Sequence, residues 1–254
     1  MSNPQNPVAL ITGSGRPRVG NVIARHLADR GYSIALHYNS SEEDAIKSRD
    51  EIRVIGCECE AFQADVASES EVDEMAAGVK RKFGRLDVLV TTSSIWGETT
   101  FDDVTKEQLH LNFDVNTLGT FFAARAAGRI MIEQPEGGAI VTVGDWSIDR
   151  PYLDHVAYFI SKGALPTLTR LLARELGERN PKVRVNCIHP GPVMFPGDAS
   201  EERKARLIEA TIVKSADCPE MVAQAVEALV NNKFLTGVCL PVDGGRHMYS
   251  PGEV

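Results

Sequence analysis

No segment of this 254-residue chain holds the roughly 20 consecutive apolar side chains that a bilayer-spanning helix needs, so no membrane partner is expected. Basic charge is also in short supply: 27 lysines and arginines stand against 35 aspartates and glutamates, a formal net charge of −8. Nucleic-acid binding requires a basic face that displaces counterions, and this balance argues against it. The short polar opening from Met1 to Pro7 reads as a flexible terminus and lacks the basic-then-apolar order of a secretory signal. The five cysteines, at 57, 59, 187, 218 and 239, are odd in number and show no metal-binding spacing. They suit reduced thiols in the cytoplasm, with no metal site expected. Cys57 and Cys59 alternate on an expected strand and are read as core packing.

A hydrophobic content of 43% with 24% charged residues is ordinary for a globular protein with a sizeable core. No linker, repeat or low-complexity tract divides the chain, so one domain over residues 1–254 is expected. Strand and helix signals alternate throughout. Val8 to Thr12, Ser33 to His37, Cys57 to Gln63 and Val88 to Thr91 read as buried strands, followed by Ala139 to Val143, Val183 to Ile188 and Val238 to Val242. Helices are expected from Gly20 to Arg30, from Ser41 to Ile55, and from a Ser68/Glu71 capping box to Phe83. Others start at Thr105 with Gln108 and cover Leu118 to Glu133, Val156 to Glu178 and Pro219 to Asn231. The expected fold is therefore α/β: a Rossmann-type doubly wound parallel sheet of about seven strands with helices on both faces.

Between the first strand and first helix lies Thr12-Gly13-Ser14-Gly15-Arg16-Pro17-Arg18-Val19-Gly20. A dinucleotide pyrophosphate binds at such a turn, against free N–H groups and the positive end of a helix. Gly13, Ser14, Arg16, Arg18 and Val19 are the candidates there. The second strand runs into His37-Tyr38-Asn39-Ser40-Ser41, with no carboxylate to grip an unphosphorylated ribose. Hydroxyls, amides and the nearby arginines suit a 2′-phosphate, so NADPH is favoured over NADH; helix capping is the plainer role for these polar groups.

Tyr158 and Lys162, four residues apart on an expected helix, share one face. An ammonium nearby should draw the phenol down from its usual value of about 10 and ready it for proton transfer. A Tyr-x-x-x-Lys pair by itself is more often ordinary helix surface. Here it stands in a chain that already carries a cofactor turn.

With these pieces the sequence resembles the short-chain dehydrogenases/reductases from Val8 to Gly245. The matching motifs are the Thr12-Gly13 turn, Asp65, Val115-Asn116-Thr117, Tyr158 with Lys162, Val185-Asn186, Pro190-Gly191, Thr236-Gly237 and Val242-Asp243-Gly244-Gly245. The resemblance implies that Tyr158 donates a proton, that Lys162 binds nicotinamide ribose and tunes the tyrosine, and that Asn116 holds a relay water. It also implies cofactor contacts from Asp65 beside adenine and from Val66, Thr92, Ser93, Pro190, Gly191 and Val193.

The departures narrow the resemblance further. The family's usual serine, thirteen residues before the tyrosine, is Asp145, which as a carboxylate has no proton to give a carbonyl. Ser147 is a possible substitute two residues on. Arg18 replaces a glycine of a turn that is one residue longer than usual. Both changes, with Trp96 after the fourth strand, resemble the pteridine reductase branch. That likeness implies a flat ring held by Trp96 and Arg18, with Asp145 assisting Tyr158; Trp96 as plain packing and Arg18 on a cofactor phosphate are the alternatives. Thr91-Thr92-Ser93-Ser94 replaces the family's Asn-Asn-Ala-Gly, which leaves the contacts there open. Pro166, inside the expected catalytic helix, cannot donate to the Lys162 carbonyl, so a bend or a water is expected.

The loop from Pro190 to about Arg206, with Met194 and Phe195, is expected to cover the substrate. A homotetramer built on the Leu118–Glu133 and Val156–Glu178 helices is expected by resemblance. The leading functional expectation is NADPH-dependent reduction of a pterin-like ring. Carbonyl or 3-oxoacyl reduction is the second, and a non-catalytic NADPH sensor the third.

Overall fold

A computed structural model describes residues 6–195 and 197–248; most of the expected Met1–Pro7 terminus lies outside the described residues. Seven strands form one parallel sheet: β1 (Val8–Thr12), β2 (Ser33–Tyr38), β3 (Cys59–Gln63), β4 (Val88–Thr91), β5 (Gly138–Val143), β6 (Val183–Pro190) and β7 (Cys239–Val242). Their spatial order is β3-β2-β1-β4-β5-β6-β7, so the winding direction reverses between β1 and β4. That reversal opens a crevice at the carboxyl ends of the two strands, where ligands of open α/β sheets bind.

Both sheet faces are covered. On one, Val72 and Val79 of α3 (Glu69–Phe83), Ala124 and Met131 of α5 (Gly119–Ile132) and Leu172 of α7 (Leu165–Arg179) pack on Leu10, Leu89 and Ile140. On the other, Ile23 and Leu27 of α1 (Val19–Asp29), Ile52 of α2 (Glu42–Val54) and Val226 of α9 (Pro219–Asn231) pack on Ile11, Ile34 and Val90. Strands buried on both faces read as near-continuous apolar runs, which is why their positions were plain in the sequence.

Several boundaries differ from expectation. β2 extends to Tyr38, β6 to Pro190, and β3 starts at Cys59, because Gly56 turns the chain with φ +97°. Cys57 precedes the strand, yet it packs against the same core that holds Cys59. Ser41 makes no side-chain cap bond on α2. At Ser68 only half the capping box forms: its hydroxyl accepts from Glu71, but the Glu71 carboxylate accepts from the Asp65 N–H. Thr105 and Gln108 do form the complete box on α4 (Lys106–Phe113).

Two helices expected to be separate are joined, because α4 runs into α5 through a π-turn at Asp114–Leu118. Conversely, the expected Val156–Glu178 helix is divided into α6 (Val156–Gly163) and α7 at Ala164. Pro166 enforces this division, and the Ala164 N–H turns back onto the stranded Lys162 carbonyl. The expected 190–206 loop contains the start of a further helix, α8 (Glu201–Glu209).

Candidate active site

The turn after β1 is held from beneath. His37 is buried, its Nδ1 accepts the Gly13 N–H at 2.8 Å, and its Nε2 lies 2.9 Å from the Ala64 carbonyl. An acceptor at one nitrogen and a donor at the other define the neutral ring, and burial lowers its pKa. His37, expected among the cofactor ligands, therefore braces the turn from within the protein. Ser14 is similarly engaged: its hydroxyl donates to Ile11 O at 2.7 Å and accepts the His37 N–H. Gly20 is required by packing, since a Cβ there would lie 2.3 Å from Thr92 Oγ1.

A nicotinamide dinucleotide fits what surrounds this turn. α1 starts with no side-chain cap and no acidic residue in its first turn, which leaves its N–H groups for an anion. By contrast α3, α4 and α8 are capped by Ser68, Thr105 and Ser200. Arg16 and Arg18 are exposed beside it, Arg16 in an ion pair with Asp44 at 3.1 Å. Val19, Tyr38 and Ser41 are half-buried, and Asn39 and Ser40 are exposed, around the same strand ends.

The Thr91–Ser94 segment replaces the family's amides with hydroxyls that tie β4 to its neighbours. Thr92 Oγ1 donates to Thr12 O, the Ser93 N–H donates to Thr12 Oγ1 at 3.2 Å, and Ser94 Oγ donates to Asn116 Oδ1 at 2.9 Å. Asp65 and Val66 follow β3 on the same edge of the sheet; Asp65 Oδ1 accepts the Ala67 N–H. Pro190, Gly191 and Val193 leave β6 there too, with Gly191 so close to Asp243 that a Cβ would approach its Cα to 2.7 Å.

Asn116 sits in the π-turn, a feature found often at functional sites. Its Nδ2 donates to Ile95 O and Ser161 Oγ, and its Oδ1 accepts from Ser94 Oγ and the Ile95 N–H. All four side-chain valences are thus used within the protein. No side-chain valence of Asn116 remains for the expected relay water, and its backbone carbonyl already accepts the Thr120 hydroxyl at 2.8 Å.

The centre of the site is a hydrogen-bonded chain. Tyr158 OH donates to Asp145 Oδ2 at 2.6 Å, and Asp145 Oδ1 accepts the Ser147 N–H at 2.9 Å as well as the Ser147 hydroxyl. Ser147 is fully buried and turned onto Asp145, so it does not take the place of the missing serine. Lys162 is 4% exposed; its Nζ donates to Val143 O at 2.9 Å and lies 5.9 Å from the Tyr158 ring centroid. The expected lowering of the phenol pKa by Lys162 is corrected here: burial first, and then the charge of Asp145, push Tyr158 well above its ordinary value. Burial lowers the Lys162 pKa, and the charge of Asp145 opposes that. The phenol therefore stands as a loaded proton donor. This geometry can deliver a proton to a substrate atom beside a hydride acceptor.

Residues 18–247 match the family profile described as enoyl-(acyl carrier protein) reductase. An uncharacterized oxidoreductase of Methylorubrum extorquens is 32% identical over 96% of this chain and 99% of its own. The chain belongs to the short-chain dehydrogenase/reductase family. Versicolorin reductase 1 of Aspergillus parasiticus is 36% identical over 94% of this chain and 95% of its own. The crystal structure of acetoin dehydrogenase from Enterobacter cloacae superposes with a TM-score of 0.89 at 29% identity, covering 99% of this chain and all of that one. The chain is thus an oxidoreductase of a family that works with NAD(P)(H) on varied small molecules, and among its described residues no helix is long and apolar enough to cross a membrane.

Sequence reasoning missed an aromatic wall on this short-chain dehydrogenase/reductase. Trp96 is 53% exposed, stacks on His155 at 4.6 Å and donates from Nε1 to Tyr152 OH at 2.9 Å. Tyr152 stands edge-on to His155 and Phe159, and Trp146 stacks on Tyr152 with the Arg246 guanidinium 4.8 Å over its ring. The signal was the aromatic density between Asp145 and Phe159, which no helix or strand period required. Met194 and Phe195 are half-buried; the Phe195 N–H donates to Asp217, and Lys204 of α8 lies over its ring. A cavity of about 660 Å³ lies between the segment after β6 and the turn after β7. Val193 lines it, whereas Tyr158, Asp145 and Lys162 do not.

Proposed function

We propose that this enzyme reduces a flat, conjugated ring of the pterin type with NADPH, Tyr158 supplying the proton. The observation that carries this reading is the Asp145 carboxylate bonded to Tyr158 at 2.6 Å, with the aromatic wall of Trp96, Tyr152 and His155 nearby. A carboxylate accepts hydrogen bonds from ring N–H and amino groups, whereas a ketone oxygen needs a donor where Asp145 stands. Flat rings gain from contact with an exposed indole face such as that of Trp96.

The nicotinamide, when bound, supplies the hydride. Arg16, Arg18, Val19 and the Gly13–Ser14 backbone would hold the pyrophosphate. Tyr38, Asn39, Ser40 and Ser41 would hold the 2′-phosphate, because none of them is acidic. The exposed Arg16–Asp44 pair is worth at most about 1 kcal/mol, so Arg16 is free to exchange Asp44 for a phosphate. Asp65, Val66, Thr92 and Ser93 would flank the adenosine side, and Lys162, Pro190, Gly191 and Val193 the nicotinamide side. Lys162, anchored on Val143 O, holds its ammonium beside the tyrosine, and Asn116 fixes the Ile95 backbone that leads to Trp96. Arg18, Trp96 and Asp145 would hold the substrate, with Met194 and Phe195 of the 190–206 segment covering it.

A second reading, reduction of a carbonyl compound, is favoured by the close structural likeness to acetoin dehydrogenase, whose named substrate is a small hydroxyketone. One assay separates the readings: NADPH oxidation with dihydrobiopterin, dihydrofolate, a ketone panel and an acetoacetyl thioester. Pterin turnover is expected to exceed ketone turnover, and Asp145→Ser is expected to reverse that order. Turnover of ketones alone would remove the pterin reading, and NADPH binding with no turnover would leave a sensor.

The assembly is proposed to be a homotetramer, in keeping with exposed Ile160 and Leu171 on α6 and α7. Light scattering of the eluted protein tests this, and a monomer would contradict it. The five unpaired thiols support residence in the cytoplasm.

A further inference from the structure

β6 and β7 pair in parallel with Cys187 directly opposite Cys239. His189 lies two residues beyond Cys187 on the same strand, so its side chain leaves the same face of the sheet. The cysteine spacing in the sequence concealed this cluster, because its three donors come from two strands, with Cys187 and Cys239 52 residues apart. The fold brings one ligand atom from each of Cys187, His189 and Cys239 within 4.8 Å of the others.

Cys187 and His189 are 0% and 4% exposed, and Nε2 of His189 has no hydrogen-bond partner. A buried imidazole nitrogen without a partner is destabilising unless something occupies it. Gly144 makes room at the same place, since a Cβ there would lie 2.9 Å from His189 Nε2 and 3.3 Å from Cys187 Sγ. Cys239 is half-buried on the edge strand, so an ion can enter from that side.

We propose that Cys187, His189 and Cys239 form a three-ligand site for a soft divalent cation of the zinc class. Two thiolates and a neutral imidazole balance a charge of +2, so the occupied site would be electrically neutral where it is buried. Tetrahedral zinc needs donors about 3.5–3.8 Å apart, as follows from bonds of about 2.3 Å to sulfur and 2.0–2.1 Å to nitrogen. The three donor atoms lie within 4.8 Å of one another, so binding would draw them together by about 1 Å. Thiolate ligands select zinc over magnesium or calcium, which prefer oxygen. The fourth position, on the Cys239 side, is left to water or to a small external thiol. The cluster does not include Tyr158 or Asp145, so the proposal does not rest on the redox reading.

The test is a cobalt(II) titration of the full-length, reduced, chelator-stripped protein, followed by displacement with zinc(II). One equivalent per chain should produce a thiolate-to-cobalt charge-transfer band and the intense visible bands of a tetrahedral site. Cys239→Ser, on the exposed edge, should abolish the charge transfer from that thiolate, and His189→Gln should weaken binding by at least about tenfold. A Cys57→Ala/Cys218→Ala variant should bind as the parent does. Absence of tetrahedral bands would overturn the proposal, as would bands that persist unchanged in Cys239→Ser and His189→Gln. Joining of Cys187 and Cys239 as a disulfide that excludes cobalt under reducing conditions would overturn it equally.

Discussion

Tyr158 hands its hydrogen bond to Asp145 rather than to solvent, and burial keeps its phenol protonated. A reductase needs a stocked donor in that state, and the ammonium of Lys162 becomes important only as the proton leaves. His37 carries a different prediction. Its pKa is about 6.5 in the unfolded chain and lower in the fold, because burial penalises the imidazolium. Between those values the unfolded chain binds a proton that the folded chain refuses. Its contribution to stability is therefore complete above about pH 6.5 and is lost as pH falls towards the folded value. The melting temperature should drop more between about pH 7.5 and about pH 5.5 in the parent than in His37→Asn, which keeps an acceptor for Gly13. Equal drops in both would refute the assignment. Gly20→Ala should weaken NADPH binding and stability together, because its Cβ collides with Thr92 Oγ1, and a second change, Thr92→Ala, should restore part of the loss. Fluorescence titration with NADPH reads this out.

Helices were legible where a long apolar stripe marked them; a cap alone, such as Ser200 before α8, was not enough. The break at Ala164 followed from Pro166, whose missing N–H strands a carbonyl whatever the surroundings. The π-turn at Asp114–Leu118 has no such local marker; within it Asn116 bonds Ile95 and Ser161 together, partners that lie in distant segments. α8 was missed because its apolar side is short, with Leu207 and Ile208 only half-buried and no residue fully buried, in a segment otherwise dominated by charge. Caps were half legible: Thr105 and Gln108 close their box, whereas Glu71 finds Asp65 instead of Ser68. Thr105→Ala should cost about 1 kcal/mol of stability in urea denaturation, through loss of the Gln108 N–H acceptor. No change would mean that packing of α4 on α6 alone holds that turn.

For the whole molecule, the doubly wound parallel sheet was legible because strands alternate with helices, whereas the strand order and the crevice between β1 and β4 are set by which strands pair, which the alternation does not encode. Tyr158, Lys162 and Asp145 converge as the spacing implied, since one helix and one strand end carry them. The aromatic wall and the Cys187–His189–Cys239 cluster depend on contacts between distant elements, which no single segment encodes. At this scale NADPH should be preferred over NADH by tenfold or more in kcat/KM, the expected yield of one charge-assisted contact of about 1.5–3 kcal/mol. A preference for NADH would refute the role given to Tyr38, Asn39, Ser40 and Ser41. The central claim is tested most directly by rapid mixing of NADPH-loaded enzyme with dihydrobiopterin, parent against Tyr158→Phe. NADPH oxidation in the variant should be slower by about 10²–10⁴-fold with NADPH binding unchanged; oxidation at the parent rate would contradict it.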